Sequence, residues 1–271
     1  DTLTSYQLSA VYKLTGDVNV YAAFSENDAT SNSMAGGTGL GGNNEINPLN
    51  FATENTLYEV GVKYAPNSSW YAEAAVFDQT RSLRNRDGSN SGVKTQGFEL
   101  QMFYQADDVW INAAYSYLDA RFDDSAAFQG TAQVIDAFDN SRPDIIEGTG
   151  VGSPSFAAFP ASDSRVQGIP PQIASINAGW QITDDLQVGA SALYTKSFPL
   201  DFLQTVHIRD QYTVDVNADY QVTDDLRLRL DIINVTDEEN WQPLFEGGYF
   251  GATLVMPNVP RHAQVTMQYA F

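Results

Sequence analysis

The stretch YTVDVNADYQV, residues 212–222, alternates apolar and polar side chains without a break. LRLRLDI at 226–232 repeats the alternation after the short turn at 223–225, and AQVTMQYAF at 263–271 carries it to the last residue. Side chains along a β-strand point alternately to opposite faces, so each segment has one apolar and one polar face. The three segments therefore predict an antiparallel sheet whose two faces differ in chemistry.

Three features favour a membrane barrel over a water-soluble β-sandwich. The alternating runs are about ten residues or longer, the length that a tilted strand needs to cross a bilayer. The turns at one end of the strands are short and those at the other end are long, as in outer-membrane barrels. Aromatic residues collect at strand ends, where their rings suit the headgroup level. We predict a transmembrane antiparallel β-barrel.

Composition narrows the classes of partner. The 271 residues contain 14 Lys and Arg against 34 Asp and Glu, a net charge of −20. A chain this acidic lacks the basic face that nucleic acid requires, so no nucleic-acid partner is expected. There is no cysteine, which excludes disulfides and thiolate metal sites. No apolar run approaches the length of a membrane helix, and the mean hydropathy of −0.28 resembles that of a soluble protein. Barrels escape a hydropathy scan because half of each strand faces a polar interior.

Eight further segments show the same alternation and bring the predicted strand count to about eleven. Single-chain bacterial barrels have even strand numbers, and an unpaired edge in lipid costs several kcal/mol per backbone group. We therefore expect residues 1–271 to be the C-terminal part of a larger barrel, with a complete ten- or twelve-stranded pore as the alternative. The eight segments are 3–14, 18–25, 56–65, 70–79, 94–105, 109–122, 172–182 and 186–195, and loops are predicted at 26–55, 81–92, 123–171 and 197–211.

The segment IINVTDEENW, residues 232–241, resembles the penultimate-strand signature of TonB-dependent outer-membrane receptors. Pro260-Arg261 before a last strand that ends on Phe271 is also similar to that family. The resemblance implies a 22-stranded barrel, of which this chain is the second half, filled by a plug segment whose short box binds TonB. Neither plug nor box is in this sequence. The implied partners are the remaining barrel and plug, in the same protein or a companion chain, TonB, and the lipid and lipopolysaccharide of the Gram-negative outer membrane.

Two groups of residues are candidates for function. Mobile outer loops that carry aromatic side chains fit ligand binding, although loop packing explains the same residues. Inward polar residues are predicted to line the lumen, where they hydrogen-bond a plug, water or ligand. The aromatic candidates are Phe128, Phe138, Phe156, Phe159, Trp241, Phe245, Tyr249 and Phe250, and the lumen candidates are Glu59, Lys63, Glu99, Gln101, Asp215, Asn217, Asp219, Arg227, Arg229 and Asp231.

No pattern of catalytic residues is found. The two histidines, His207 and His262, stand alone, whereas a metal site needs several converging ligands. We expect no enzyme activity, no cofactor and no metal. The resemblance implies TonB-coupled uptake of a scarce ligand such as a ferric siderophore, a vitamin or a glycan. A passive porin-like channel and a structural or adhesive surface barrel are the alternatives.

Overall fold

The computed structural model describes residues 4–29, 53–84, 90–122, 129–134, 155–160, 165–200, 207–249 and 252–271. These ranges contain seventeen β-strands. No helix among them has the length and apolar composition needed to cross a membrane. The strands are β1 Ser5–Lys13, β2 Val18–Ala29, β3 Thr53–Asn67, β4 Trp70–Arg84, β5 Asn90–Gln105, β6 Val109–Phe122, β7 Gln129–Val134, β8 Ser155–Pro160, β9 Gln172–Thr183, β10 Leu186–Thr195, β11 Phe198–Pro199, β12 His207–Ile208, β13 Gln211–Thr223, β14 Leu226–Ile233, β15 Trp241–Tyr249, β16 Ala252–Pro257 and β17 His262–Tyr269.

Eleven strands form one antiparallel sheet in the order β1-β2-β3-β4-β5-β6-β9-β10-β13-β14-β17. The chain runs up and down through this sheet, and each strand pairs with the next sheet strand in sequence. β1 and β17 lie at its two edges, so the described strands form part of a barrel. The predicted all-β antiparallel architecture and the count of eleven strands are both confirmed.

The strand register aligns the apolar side chains of neighbouring strands on one face. Ile111 lies opposite Ala178, which lies opposite Ala190, and the same row continues through Val216 to Ile232. Among the described residues, no second sheet covers this face. Val265 and Met267 in its last strand are accordingly 70% and 69% exposed. A water-soluble sandwich would bury such side chains, whereas a lipid-facing barrel wall leaves them outside. The prediction of a membrane barrel is therefore confirmed.

Aromatic side chains border the apolar face toward the tight turns and toward the long connections. Tyr212 and Tyr220 stand at opposite ends of β13, eight positions apart, which is roughly 27 Å along the strand and about 20 Å in height after a tilt of about 40°. This spacing approaches the apolar band of about 25 Å in outer-membrane barrels. Ring pairs at the two levels are Trp70–Tyr104 beside the tight turns, at 4.5 Å between centroids, and, further along the strands toward the long connections, Phe24–Tyr58 and Phe98–Tyr117, at 5.0 and 5.7 Å.

The repeated sequences QITDDL and QVTDDL build the same tight turn twice. Gln181 Nε2 donates to the Thr183 carbonyl at 2.7 Å, and Gln221 Nε2 donates to the Thr223 carbonyl at 2.7 Å. The Thr183 hydroxyl also accepts the backbone N–H of Leu186 at 3.1 Å. Short polar side chains that bond the local backbone are typical of tight turns. The adjacent aspartates at these turns are therefore explained as turn residues.

Several predicted loop boundaries are wrong. β2 continues to Ala29, β3 begins at Thr53, β4 continues to Arg84 and β5 begins at Asn90, so the strands extend beyond the apolar band. Their outer ends are polar on both faces, and the alternation gives no sign of where they stop. The connection 123–171 is not irregular throughout, because β7 and β8 form a hairpin within it. The aromatic segment beginning at Trp241 is likewise a hairpin, β15–β16.

Candidate functional site: the polar inner wall and the loop end

The face of the sheet opposite the apolar one carries two clusters of charged side chains. In the first, Glu73 of β4 accepts hydrogen bonds from the hydroxyl groups of Tyr21, at 2.9 Å, and Tyr71. Lys63, directly across on β3, places its ammonium 3.3 Å from Glu73 Oε1 and 5.0 Å from the centre of the Tyr21 ring. Glu73 thus holds side chains from three neighbouring strands together.

The second cluster lies on β13 and β14 near the tight turns. The Asp219 carboxylate is buried and accepts hydrogen bonds from Arg227 Nε at 2.9 Å and from Arg229 Nη1 at 3.1 Å. Arg229 also bonds Asp231, with Nη2 to Oδ1 at 2.7 Å. Both carboxylates and both guanidinium groups are thereby paired along the wall, and removing Asp219 would leave two cations without their shared partner.

Large inward side chains lie flat against glycines on the next strand. Tyr21 lies opposite Gly61, and Trp110 lies opposite Gly179. A Cβ added to Gly61 would stand 2.5 Å from the Tyr21 ring, and one added to Gly179 would stand 2.3 Å from Trp110 Nε1. These positions therefore require glycine, because the ring occupies the space of a side chain. The arrangement keeps bulky aromatic groups on the wall.

The segment 234–241 forms a hydrogen-bonded turn at the loop end of β14. Asn234 is 2% exposed and has a left-handed backbone with φ of 54°. Its side-chain Nδ2 donates to the Glu238 carbonyl at 2.9 Å and to the Val259 carbonyl at 3.4 Å, and its Oδ1 accepts the Glu238 N–H at 3.0 Å. The Asn234 N–H donates to Asp215 at 2.8 Å. The most recognisable motif in the sequence is therefore a structural turn.

Two further side chains connect this turn to its neighbours. Asp237 accepts the backbone N–H of Arg261 at 3.1 Å and forms an ion pair with its guanidinium at 3.3 Å. Buried Asn240 donates from Nδ2 to the Tyr212 carbonyl at 2.7 Å. The turn thus ties the outer end of β14 to β13 and to the start of β17.

Residues between β10 and β13 form a small apolar core at the loop end of the barrel wall. Phe198, Leu200 and Ile208 are buried together, and Trp241 and Val255 of the β15–β16 hairpin pack against them. At its base, Lys196 Nζ lies 2.7 Å from Asp210 Oδ2. This ammonium and the Ser197 N–H hold the pKa of the Asp210 carboxyl below its usual value. These apolar contacts therefore hold the β15–β16 hairpin against the residues between β10 and β13.

The register places the ten predicted lumen residues on the polar face of the sheet. It brings Asp219, Arg227, Arg229 and Asp231 together and places Lys63 beside Glu73. Tyr71 and Glu73 were missed because the aromatic residues of β4 obscure its alternation, although Glu73 stands at an inward position. Tyr21 was missed because it is an aromatic residue on the polar face of β2. Among the described residues, no group of three or more His, Asp or Glu is arranged to hold a metal.

The aromatic candidates are only partly located. Trp241 packs against the loop core, as described above. Phe156 and Phe159 fall within β8, and Phe245 and Tyr249 fall within β15, so these four belong to hairpins and not to irregular loops. Phe128, Phe138 and Phe250 lie outside the described residues. Ligand binding by any member of this group stays a prediction.

The alternating faces, the two aromatic rows and the one-sided tight turns define a transmembrane antiparallel β-barrel. Residues 1–235 match the family described as TonB dependent receptor-like, beta-barrel. The chain therefore belongs to this family, as the resemblance of residues 232–241 indicated. A comparison with curated protein sequences gave no match.

Solved structures share the fold at low sequence identity. The siderophore receptor PiuA from Acinetobacter baumannii superposes with a TM-score of 0.72 at 19% identity over 97% of this chain and 35% of its own. The ferric-catecholate import receptor Fiu from E. coli K12 gives 0.69 at 17% identity over 97% and 34%. The ferric yersiniabactin uptake receptor FyuA from Yersinia pestis gives 0.68 at 16% over 98% and 37%. The chain thus spans about a third of the length of these receptors.

Proposed function

We propose that this chain is the C-terminal part of an outer-membrane receptor that takes up a scarce ligand by TonB-coupled transport. The observation that supports this most is the eleven-stranded meander with one uninterrupted apolar face, in a chain that belongs to the TonB-dependent receptor family. PiuA is described as a siderophore receptor, Fiu as a ferric-catecholate import receptor and FyuA as a ferric yersiniabactin uptake receptor. A ferric siderophore is accordingly the ligand class that we propose, ahead of a vitamin or a glycan.

The two faces of the sheet serve different parts of the proposed uptake function. The apolar face and its aromatic rows anchor the barrel in lipid. The polar face presents charged and hydroxyl groups to the lumen, where we propose that a plug segment packs against the clusters around Glu73 and Asp219. The loop core around Leu200 supports a hairpin at the opposite end from the tight turns. We propose that ligand capture takes place at this loop end, through the aromatic candidates.

The test is uptake by the full-length receptor in an iron-limited Gram-negative host that lacks its own siderophore receptors. Accumulation of ferric siderophores is compared in cells with TonB, in cells without TonB and in cells treated with a protonophore. The proposal expects accumulation that requires both TonB and the proton motive force. Accumulation that persists without either would support a passive porin-like channel. No accumulation of any siderophore, with surface binding of cells or matrix, would support an adhesive barrel.

A further inference from the structure

The neighbouring strands β9 and β10 carry no charged residue. Residues 172–183, QIASINAGWQIT, and 186–195, LQVGASALYT, contain no Asp, Glu, Lys, Arg or His, in a chain where 18% of the residues are charged. The adjacent strand β6 carries Asp119 and Arg121, but the register places both on the outer face, with Tyr117. β6, β9 and β10 therefore present an uncharged inner wall to the lumen, which we call the neutral lane.

The neutral lane lies between the two charged clusters of the inner wall. On one side are β4 and β5, whose Glu73 and Glu99 face the lumen, and on the other are β13 and β14 with the cluster around Asp219. β5 and β13 are four strand spacings apart in the sheet, which is about 19 Å. A small-molecule pocket of about 300–1,000 Å³ is about 7–10 Å across. The lane is therefore wider than a ligand of that size.

A sequence repeat shows which charges the lane lacks. The hairpins β9–β10 and β13–β14 are built on the same turn, with Thr183 and Thr223 40 residues apart. Their strand pairing matches as well, because Gln181 lies opposite Gln187 and Gln221 lies opposite Arg227. Residues 40 positions apart therefore stand at equivalent depths in the wall. At these depths the first hairpin has Gly179 in place of Asp219, Gln187 in place of Arg227, Gly189 in place of Arg229 and Ser191 in place of Asp231.

The lane also has little side-chain volume of its own near the turns. Gly179 and Gly189 lie opposite each other on β9 and β10. The Trp110 indole lies across Gly179, as described above, and a Cβ on Gly189 would stand 2.9 Å from the side-chain amide of Asn217. Side chains of the flanking strands therefore lie flat across both glycines, and the wall is smooth at this level.

The polar groups of the lane are open to the lumen. Asn112 and Asn177 lie opposite each other on β6 and β9 and are half-buried. Their side-chain amides form no hydrogen bond to any other described residue. Glu73 and Asp219, by contrast, bond side chains of neighbouring strands. Each amide offers donors and an acceptor, so the lane can exchange hydrogen bonds with a solute in the lumen.

We propose that the neutral lane is the inner wall of the passage by which the transported solute crosses the barrel. This inference rests on the proposed function, in which a plug segment packs against the charged clusters on either side. Between those clusters the wall offers a charged plug no partner. Conduction needs contacts that admit a solute and then release it. Uncharged amides and hydroxyl groups provide such contacts for a hydrophilic metal chelate, whatever its own net charge.

The test compares two single thiols in the full-length receptor. Ser191→Cys lies in the lane, and the matched control Ser9→Cys lies on β1, beyond the cluster around Glu73. Each serine is four residues from the inward residue nearest its tight turn, Gln187 for Ser191 and Lys13 for Ser9, so the two thiols have the same depth. Fluorescein maleimide is added outside iron-limited cells that are given ferric siderophores, with and without TonB. The smaller N-ethylmaleimide measures the reactivity of each thiol, and the receptor without an introduced thiol gives the background.

TonB is expected to raise the rate of fluorescein labelling at Ser191→Cys, relative to N-ethylmaleimide, at least about tenfold, because a passage open for less than about a tenth of the time limits the reagent to that fraction. Labelling at Ser9→Cys should not change. Retention of heat-modifiable mobility shows that both variants are folded. An equal rise at the two thiols, faster labelling at Ser9→Cys, or no labelling at either would overturn the proposal. Faster labelling at Ser191→Cys that needs no TonB would support the lane and count against TonB-coupled uptake only.

Discussion

Replacing Asn234 by alanine tests whether the family motif is a structural turn. Alanine removes the Nδ2 bonds to the carbonyls of Glu238 and Val259 and the Oδ1 bond from the Glu238 N–H. Groups left unsatisfied at a buried site cost about 1–3 kcal/mol, and a left-handed backbone costs a residue with a Cβ about 1–2 kcal/mol more than asparagine or glycine. We therefore expect Asn234→Ala to lower the free energy of unfolding by about 3 kcal/mol.

A second substitution separates the two contributions. Glycine adopts a φ of 54° without strain but also lacks the amide, so Asn234→Gly should lose about 1–2 kcal/mol less than Asn234→Ala. Aspartate keeps the acceptor for the Glu238 N–H and tolerates the left-handed backbone, so Asn234→Asp should lose less stability than either variant. The control is Asn258→Ala, an exposed residue of the same loop end whose bond to the Asn240 carbonyl comes from its backbone.

The measurement is equilibrium urea unfolding of the full-length receptor in lipid vesicles, followed by tryptophan fluorescence. The ranking expected from most to least stable is wild type with Asn258→Ala, then aspartate, glycine and alanine at position 234. Equal stability of Asn234→Ala and Asn258→Ala would refute the structural role of the turn. Equal loss for alanine and glycine would refute the contribution of the left-handed backbone.

Further predictions concern the wall and the loop base. Val216→Arg should cost about 2–4 kcal/mol near the bilayer midplane and Asn217→Arg much less, and equal tolerance in a folding titration would reverse the assignment of faces. Gly179→Ala should displace the indole ring lying on it and cost about 1–3 kcal/mol; Gly16→Ala, where a Cβ meets nothing within 4 Å, should be tolerated, so similar unfolding curves would contradict the close approach. The Asp210 carboxyl has a pKa below its usual value, so its contact with the lysine stabilises the loop base above about pH 4 and is lost as the pH falls through the lowered pKa. The rate of amide hydrogen exchange at Ser197, corrected for its intrinsic rate, should show this pH dependence in the wild type and not in Asp210→Asn.

The eleven strands and their faces were predictable because they depend on local chemistry. A strand between lipid and a polar lumen must alternate, and the alternation at Val214, Val216 and Ala218 needs no knowledge of neighbouring strands. The hairpins β7–β8 and β15–β16 were not predictable in this way. Pro243 and the pair Gly247-Gly248 are typical of turns, and no lipid imposes alternation on a segment beyond the membrane.

The sequence by itself determined a lipid-facing and a polar face, the eleven strands of the main sheet and the turn residues, because each of these depends on side chains close together in the chain. Only the tertiary structure decided which distant residues meet. It set Glu73 beside Tyr21 and Lys63, Trp110 on Gly179, and Lys94 opposite Arg121. The physical reason is register, since strand pairing aligns residues far apart in sequence and a shift of one position would turn each of them to the other face.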